Sequence, residues 1–442
     1  MKKLVFIAIF TLLISFVGCT EKETLPSTVS FKGENSVDIT VLVDNPNYAI
    51  SEMASAFAEK IGELTGNTVE VSEKSQYSGS EYAVYIDTVK DDYANTPDYS
   101  VYVSPEEVDV FTWFYSISEA YELNYEVVFG EDSAQVIAPD EYSLYFALDE
   151  FLTYLETDTA AVEVGTRSLK PVSDVISPAE MISRVGDVRF LFTEHKVTFV
   201  YTKAEAEIPG NVLAVTDDQD GMQGGGTDGK YAYYALYSDD EAYIYKFDLA
   251  TWKLVDVSEL LPTGHSNDIT YVPEENVLLV SDCTTKDDWK GVHYIDPDTL
   301  EYLRYGILPV GCRGLQYIPE TKQYVVTGGY VHNVYDKDFN YIKSINCGFP
   351  KDTTQGLYCD GSYIYDSRWG DKDAEDHSGQ NRLLIHDMEG NFISEGIICG
   401  DPYRGSSENE NVFIHNNLFY VGHYNDPRTV NEYVMLPVSM FE

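Results

Sequence analysis

Positive charge is what this chain has least of. Its 442 residues carry 29 Lys and Arg against 74 Asp and Glu, a formal net charge of −45. No basic stripe interrupts that acidity, so a phosphate backbone is repelled and nucleic acid is excluded as a partner. Cysteine is scarce too: there are six, none in a CxxC pair, which removes zinc-site and thioredoxin-type readings. The chain has no Walker A loop, Rossmann glycine pattern, HExxH helix or GxSxG elbow. The stretch TDDQDG at 216–221 lacks the ligand alternation and distal Glu of a calcium loop. The sequence therefore implies no cofactor and no metal. Apolar runs of membrane-crossing length are missing as well. What is abundant is aromatic, with 36 Tyr and 20 Phe, so a sizeable core is expected despite the charge. A length of 442 residues suits two domains.

The first residues read MKKLVFIAIFTLLISFVGCTEKE. Lys2 and Lys3 precede an apolar run from Leu4 to Val17, too short to span a bilayer comfortably and laid out as a secretory signal. The small residues before Cys19 resemble the lipobox of bacterial lipoproteins. That resemblance implies removal of residues 1–18, diacylglycerol on the Cys19 sulfur and a tether over 19–29. The expected location is the cell membrane or outer membrane, lipid-anchored, with the membrane itself as a partner. Five cysteines remain after Cys19; the odd count favours buried thiols over a disulfide framework.

Residues 30–160 read as a small α/β sandwich. Ile50, Met53, Ala54, Phe57, Ile61 and Leu64 share one helical face, with Gly66 as the stop; Leu144, Ala147, Leu148, Phe151, Leu152 and Leu155 share another. Short alternating strands lie between, including EYAVYIDTV, YSVYVS and YEVVFG. The helix ending FAEKIGELTGN, the strand EYAVYI and the late helix YFALDEFLTYL resemble the non-catalytic N-terminal domain of glycoside hydrolases such as hexosaminidases and glucuronidases. Ala138-Pro139-Asp140-Glu141 stands where that family has a Gly-rich turn, and no (β/α)₈ barrel follows, so no catalytic acids are carried over. Residues 161–186, with Pro171 and Pro178, are expected to be a linker.

From 187 to 442 one hairpin grammar recurs. Its registers start at Gln223, Asn267, Arg313, Gln355 and Glu410, a period near that of a four-stranded propeller blade. A five-bladed β-propeller is expected, with six blades as the alternative if 187–220 forms one more. Either Val188–Val200 or Asn211–Thr216 is expected to supply the strand that completes the fifth blade. Each register residue is polar and is followed by a small or short one: Gly224, Asp268, Gly314, Gly356 and Asn411. In a propeller these positions meet at the mouth of the central channel. Turns on one face are minimal, whereas the loops 281–291, 367–381 and 422–431 are long. Long loops on a rigid scaffold are where binding residues concentrate.

The candidate ligand-binding residues are therefore Gln223, Asn267, Asp268, Arg313, Gln355 and Glu410 at the mouth, with Trp289, Arg368, Trp369 and His423 in the loops. Aromatic faces beside hydrogen-bonding groups suit a glycan or oligosaccharide, as partner in polysaccharide capture or processing. The alternatives are a propeller-based hydrolase or lyase, with Glu410, Asp268, His265 or Glu408 as its acid and Arg313 steering an anionic substrate, and an envelope scaffold for other proteins.

Overall fold

The computed structural model describes residues 28–33, 37–44, 48–88, 124–138, 141–157, 161–171, 175–185, 190–200, 206–208, 211–213, 221–238, 240–251, 253–283, 289–328, 331–346, 353–369, 381–399, 408–424 and 428–437. Cys19, the apolar leader and the segment YSVYVS lie outside these residues. The fold is predominantly β and propeller-like. Its α-helices among the described residues are α1 (Tyr48–Thr65), α2 (Glu141–Leu155) and α3 (Pro178–Val185). No helix there is long and apolar enough to cross a membrane.

The N-terminal part is built on a six-stranded mixed sheet. Its spatial order is Glu70–Glu73, Ile39–Val43, Tyr82–Thr88, Ser133–Ala138, Asn124–Phe129, Arg167–Pro171. The first four run parallel and the last two pair antiparallel. Helices α1 and α2 bury the apolar stripes that their periodicity dictates, with Met53, Phe57 and Ile61 packed with Leu148, Phe151 and Leu155 in one core. Phe129 stacks on Phe151 at 5.0 Å, and Phe31 meets both edge-on. The stretch 161–186 is not a linker. Ala161–Glu163 pairs with Thr28–Ser30, Arg167–Pro171 is the sixth strand, and Pro178–Val185 is α3. Its polar residues hid it, because an edge strand with Arg167 paired to Glu126 at its exposed side needs few apolar positions.

Four consecutive antiparallel sheets follow, each of four strands in chain order. Their first strands are Gly221–Thr227, Asp268–Val272, Gly314–Ile318 and Thr353–Cys359. A fifth is assembled from both ends of this region: Asn409–His415, Leu418–His423 and Arg428–Pro437 are completed by Phe190–Val200. The first strand of each sheet touches that of the next, and Asn409–His415 returns to Gly221–Thr227. Phe190–Val200 does double duty: its start also pairs in parallel with Gly396–Cys399, the outer strand of the fourth sheet. One strand thus covers two edges that would otherwise invite foreign pairing. Ala206–Ile208 and Asn211–Leu213 form only a small hairpin, so the described residues of 187–220 build no separate four-stranded sheet.

Many of the 74 acids are consumed by turns. Asp248, Asp296, Asp336 and Asp387 each close the third-to-fourth strand connection by accepting two backbone N–H groups on one carboxylate oxygen, at 2.7–3.1 Å. Asp228 and Asp360 do the same at the first turns of sheets one and four, and each also accepts a tyrosine hydroxyl, from Tyr233 and Tyr365. That shared bonding is why DGKYAYY and DGSYIY read alike. The N-terminal part is docked on the outside of the fifth sheet and the adjoining outer strand of the fourth, where Leu191, Val434 and Leu436 of the one and Ile397 of the other join the core of α1 and α2.

Candidate functional site

The five register positions all fall where a first strand begins. In three sheets a β-bulge sits there, between Met222 and Gly225, Thr354 and Gly356, and Asn409 and Asn411. Gln223, Gln355 and Glu410 are thereby lifted out of the ladder, and a bulge of this kind re-aims a side chain. Asn267 and Arg313 immediately precede their strands, tied by backbone N–H bonds to Ser281 O (3.0 Å) and Thr327 O (2.7 Å).

Just inside, the strands approach backbone to backbone. A Cβ on Gly224 would lie 2.4 Å from Ser266 O, and one on Gly226 only 2.1 Å from Ile269 O. Two polar side chains bracket this crowded axis. Asp268 Oδ2 accepts the N–H of Leu315 (2.9 Å) and of Leu357 (3.2 Å), while Oδ1 accepts that of Ile269 (3.0 Å). One carboxylate therefore joins sheets two, three and four. Asn411 donates to Gln223 O and accepts from Gly422 N, joining sheets five and one.

Outside the brackets, polar atoms are aimed at nothing. Among the described residues, Gln223 Oε1, Asn267 Oδ1, Arg313 Nε and Glu410 Oε1 are all shut away from solvent and meet no hydrogen-bond partner. Gln223, Asn267 and Glu410 are only 2 %, 4 % and 2 % exposed, so these are costly vacancies in the hydrogen-bond inventory. Gln355 Nε2 donates to Glu408 Oε2 at 2.8 Å, and Glu408 shares a hydrogen bond with Glu410. Burial, then the neighbouring Glu408, pushes the Glu410 carboxyl well above the usual carboxylate range. The Cys283 thiol, which sequence reasoning placed among the inert structural thiols, also belongs here. It bonds with Asn267, feels Arg313 and Glu410, and is pushed up to about 11 chiefly by burial. Burial likewise lowers His265, with Arg313 adding to the effect against the opposing pull of Asp282. The Arg313 guanidinium lies 5.3 Å from the centroid of Trp289, whose φ is 63° and which is 39 % exposed. Among the described residues no group of three His, Cys, Asp or Glu is placed to hold a metal ion.

Not every expected residue is where the sequence put it. Asp268 accepts three backbone amides and so acts as a bracket between sheets. Arg368 is no loop residue: the strand runs on to Trp369, and Arg368 is wholly buried with its guanidinium on Asp366. His423 ends the strand Leu418–His423, is buried and meets the Tyr433 hydroxyl at 3.0 Å. Both strands extend further than their polar residues suggested, because neighbouring sheets bury both faces. Trp369 closes its strand opposite Thr353, while most of the loop 367–381 lies outside the described residues.

The raised carboxyl has a measurable consequence. A buried acid whose folded value is raised leaves full stability at low pH and loses it as pH rises from the unfolded value towards the folded one. For Glu410 that window opens near pH 4.5 and extends upwards. Glu410→Gln removes the group, so its stability should fall less steeply from pH 5 to 7 than that of the wild type. The difference should lie in that direction and reach at most one proton's worth, about 1.4 kcal/mol per pH unit, read from urea unfolding at each pH. Parallel curves for the two proteins would refute a raised Glu410 carboxyl.

No family model matches the chain, and no curated protein matches it. Among solved structures, the hydrazine synthase of Kuenenia stuttgartiensis is similar at 16 % identity and a TM-score of 0.31, over 49 % of this chain and 59 % of that one. The glutaminyl cyclase of Myxococcus xanthus is similar at 13 % identity and a TM-score of 0.38, over 56 % of this chain and 99 % of that one. The chain thus spans 59 % of the length of the first of these, and similarity this low says nothing about its chemistry.

Proposed function

We propose that the five sheets form a five-bladed propeller whose channel mouth binds a glycan, carried by an envelope lipoprotein anchored through Cys19 behind a glycoside-hydrolase-type N-terminal domain. The observation that carries the binding proposal is the set of four buried, unpartnered polar atoms contributed by four different sheets around one axis. Three are side-chain oxygens and one is a guanidinium N–H. A saccharide offers hydroxyls that donate and accept at close spacing, and an apolar ring face for the half-exposed Trp289. A protein surface suits the mouth less well, since atoms this enclosed are reached only by a small or terminal group. Hydrolysis of the usual kind needs two carboxyl groups separated by about 5 Å or more. Glu408 and Glu410 are instead hydrogen-bonded to one another, which favours a binder over a hydrolase.

A glycan array probed with the wild type, Asn267→Ala and Glu410→Gln tests this. Binding should be found for the wild type and weaken by roughly tenfold in each variant, the effect of losing one buried hydrogen bond to a ligand. A folded wild type that retains no glycan removes the proposal.

A further inference from the structure

Arg313 stands apart from the other described arginines. Arg167, Arg184, Arg304, Arg368 and Arg382 each meet a carboxylate, whereas Arg313 has no carboxylate partner among the described residues. Its Nε is buried and unbonded, and its guanidinium is held near the face of Trp289 rather than against an acid. The carboxylates near it are committed elsewhere. Asp282 takes the His265 N–H at 3.2 Å and lies 3.6 Å from His293, and Glu408 takes Gln355. Burial, then the neighbouring Glu408, raises the Glu410 carboxyl well above the usual carboxylate range, which weakens it as a counter-charge, and no ion pair joins it to Arg313 among the described residues. The overall charge of −45 is screened beyond roughly 8 Å at physiological ionic strength, so the local arrangement decides what binds. A planar guanidinium with a free N–H is shaped for a two-oxygen anion.

Resting on the glycan reading above, we infer that the mouth takes an acidic sugar, with Arg313 as the partner of an oxyanion on the ring and Gln223 and Asn267 accepting from its hydroxyls. The oxyanion is a carboxylate, as in a uronic acid, or a sulfate ester; both present the same pair of oxygens to the guanidinium.

The test is calorimetric titration of the full chain with a panel of uronate oligosaccharides, their carboxyl-reduced counterparts and sulfated oligosaccharides of equal length. An acidic member should bind, and its reduced or desulfated counterpart should bind at least about tenfold more weakly, the loss expected for a charge-assisted hydrogen bond. Arg313→Gln should abolish that preference and Arg313→Lys restore part of it. A uronate or a sulfated preference identifies which oxyanion is read. Neutral glycans binding as tightly as acidic ones overturn the inference and leave the glycan reading standing. No binding by any member overturns both. Should Arg313→Gln fail to fold, the wild-type ratio of acidic to reduced ligand still decides.

Discussion

Asp366→Ala is expected to cost about 3–5 kcal/mol of stability, the penalty for stripping a counter-charge from a buried ion. Asp366 and Arg368 are both fully buried, and Arg368 Nε donates to Asp366 Oδ2 at 2.8 Å. The third sheet closes over them with His332, whose Nε2 lies 3.5 Å from the same carboxylate oxygen and whose ring meets His386 edge-on at 5.6 Å. Burial, followed by His386 and Arg368, pushes His332 well below the usual histidine range. An imidazole is neutral or positive and never negative, so His332 cannot replace the carboxylate as a counter-charge, and its lowered value keeps it from adding a second positive charge beside Arg368. Without the carboxylate, the Arg368 guanidinium stays buried between sheets three and four and loses the oxygen it binds there. Asp366→Leu combined with Arg368→Met should recover most of the loss, because a well-packed apolar pair often replaces a buried ion pair at little cost. Urea unfolding of the two variants checks this. Equal destabilisation by the single and the double change would refute the charge explanation.

The same cluster marks where sequence reasoning stops. The repeat was legible because the sheets write their own turns: an Asp at the third-to-fourth strand connection, in the four sheets that have one, and a polar residue at the start of the first strand are local requirements, met residue by residue. Those local signals led to Gln223, Asn267, Arg313, Gln355 and Glu410; Asn267 and Arg313 lie just ahead of their strands, while Gln223, Gln355 and Glu410 lie inside the first residues of theirs. What was not legible depends on neighbours far away in the chain. Arg368 in YIYDSRWG reads as the start of a polar loop, and only the third sheet packed over it turns it into an interior charge. Phe190–Val200 was one of two candidates to complete the fifth sheet, but its second, parallel partner, Gly396–Cys399, is some two hundred residues away and leaves no mark on it. The sequence pattern treated Asn267 and Asp268 alike, as neighbours at the mouth. A strand alternates its side chains, so adjacent residues have opposite tasks.

That opposition gives the last prediction. Asp268→Ala leaves the N–H groups of Leu315 and Leu357 without their acceptor in the middle of the ring, along with the bond to Ile269. At about 1–3 kcal/mol for each of the two inter-sheet amides so orphaned, the loss should come to about 2–6 kcal/mol. Because the carboxylate ties three sheets, the unfolding transition should shift as a whole instead of gaining an early phase. Asp268→Asn, which keeps one acceptor but turns an N–H₂ towards an N–H, should fall between alanine and the wild type. Asn267→Ala should do the reverse: its side-chain oxygen has no partner to lose and only its contact with the Cys283 thiol goes, so the stability cost should be about 1 kcal/mol, well below that of Asp268→Ala, while ligand binding weakens. Denaturation and binding measured on all three variants resolve the two tasks. If Asp268→Asn, once folded, binds as poorly as Asn267→Ala, then Asp268 touches ligand and the bracket assignment is wrong; if it binds like the wild type, the boundary between scaffold and site runs between two consecutive residues.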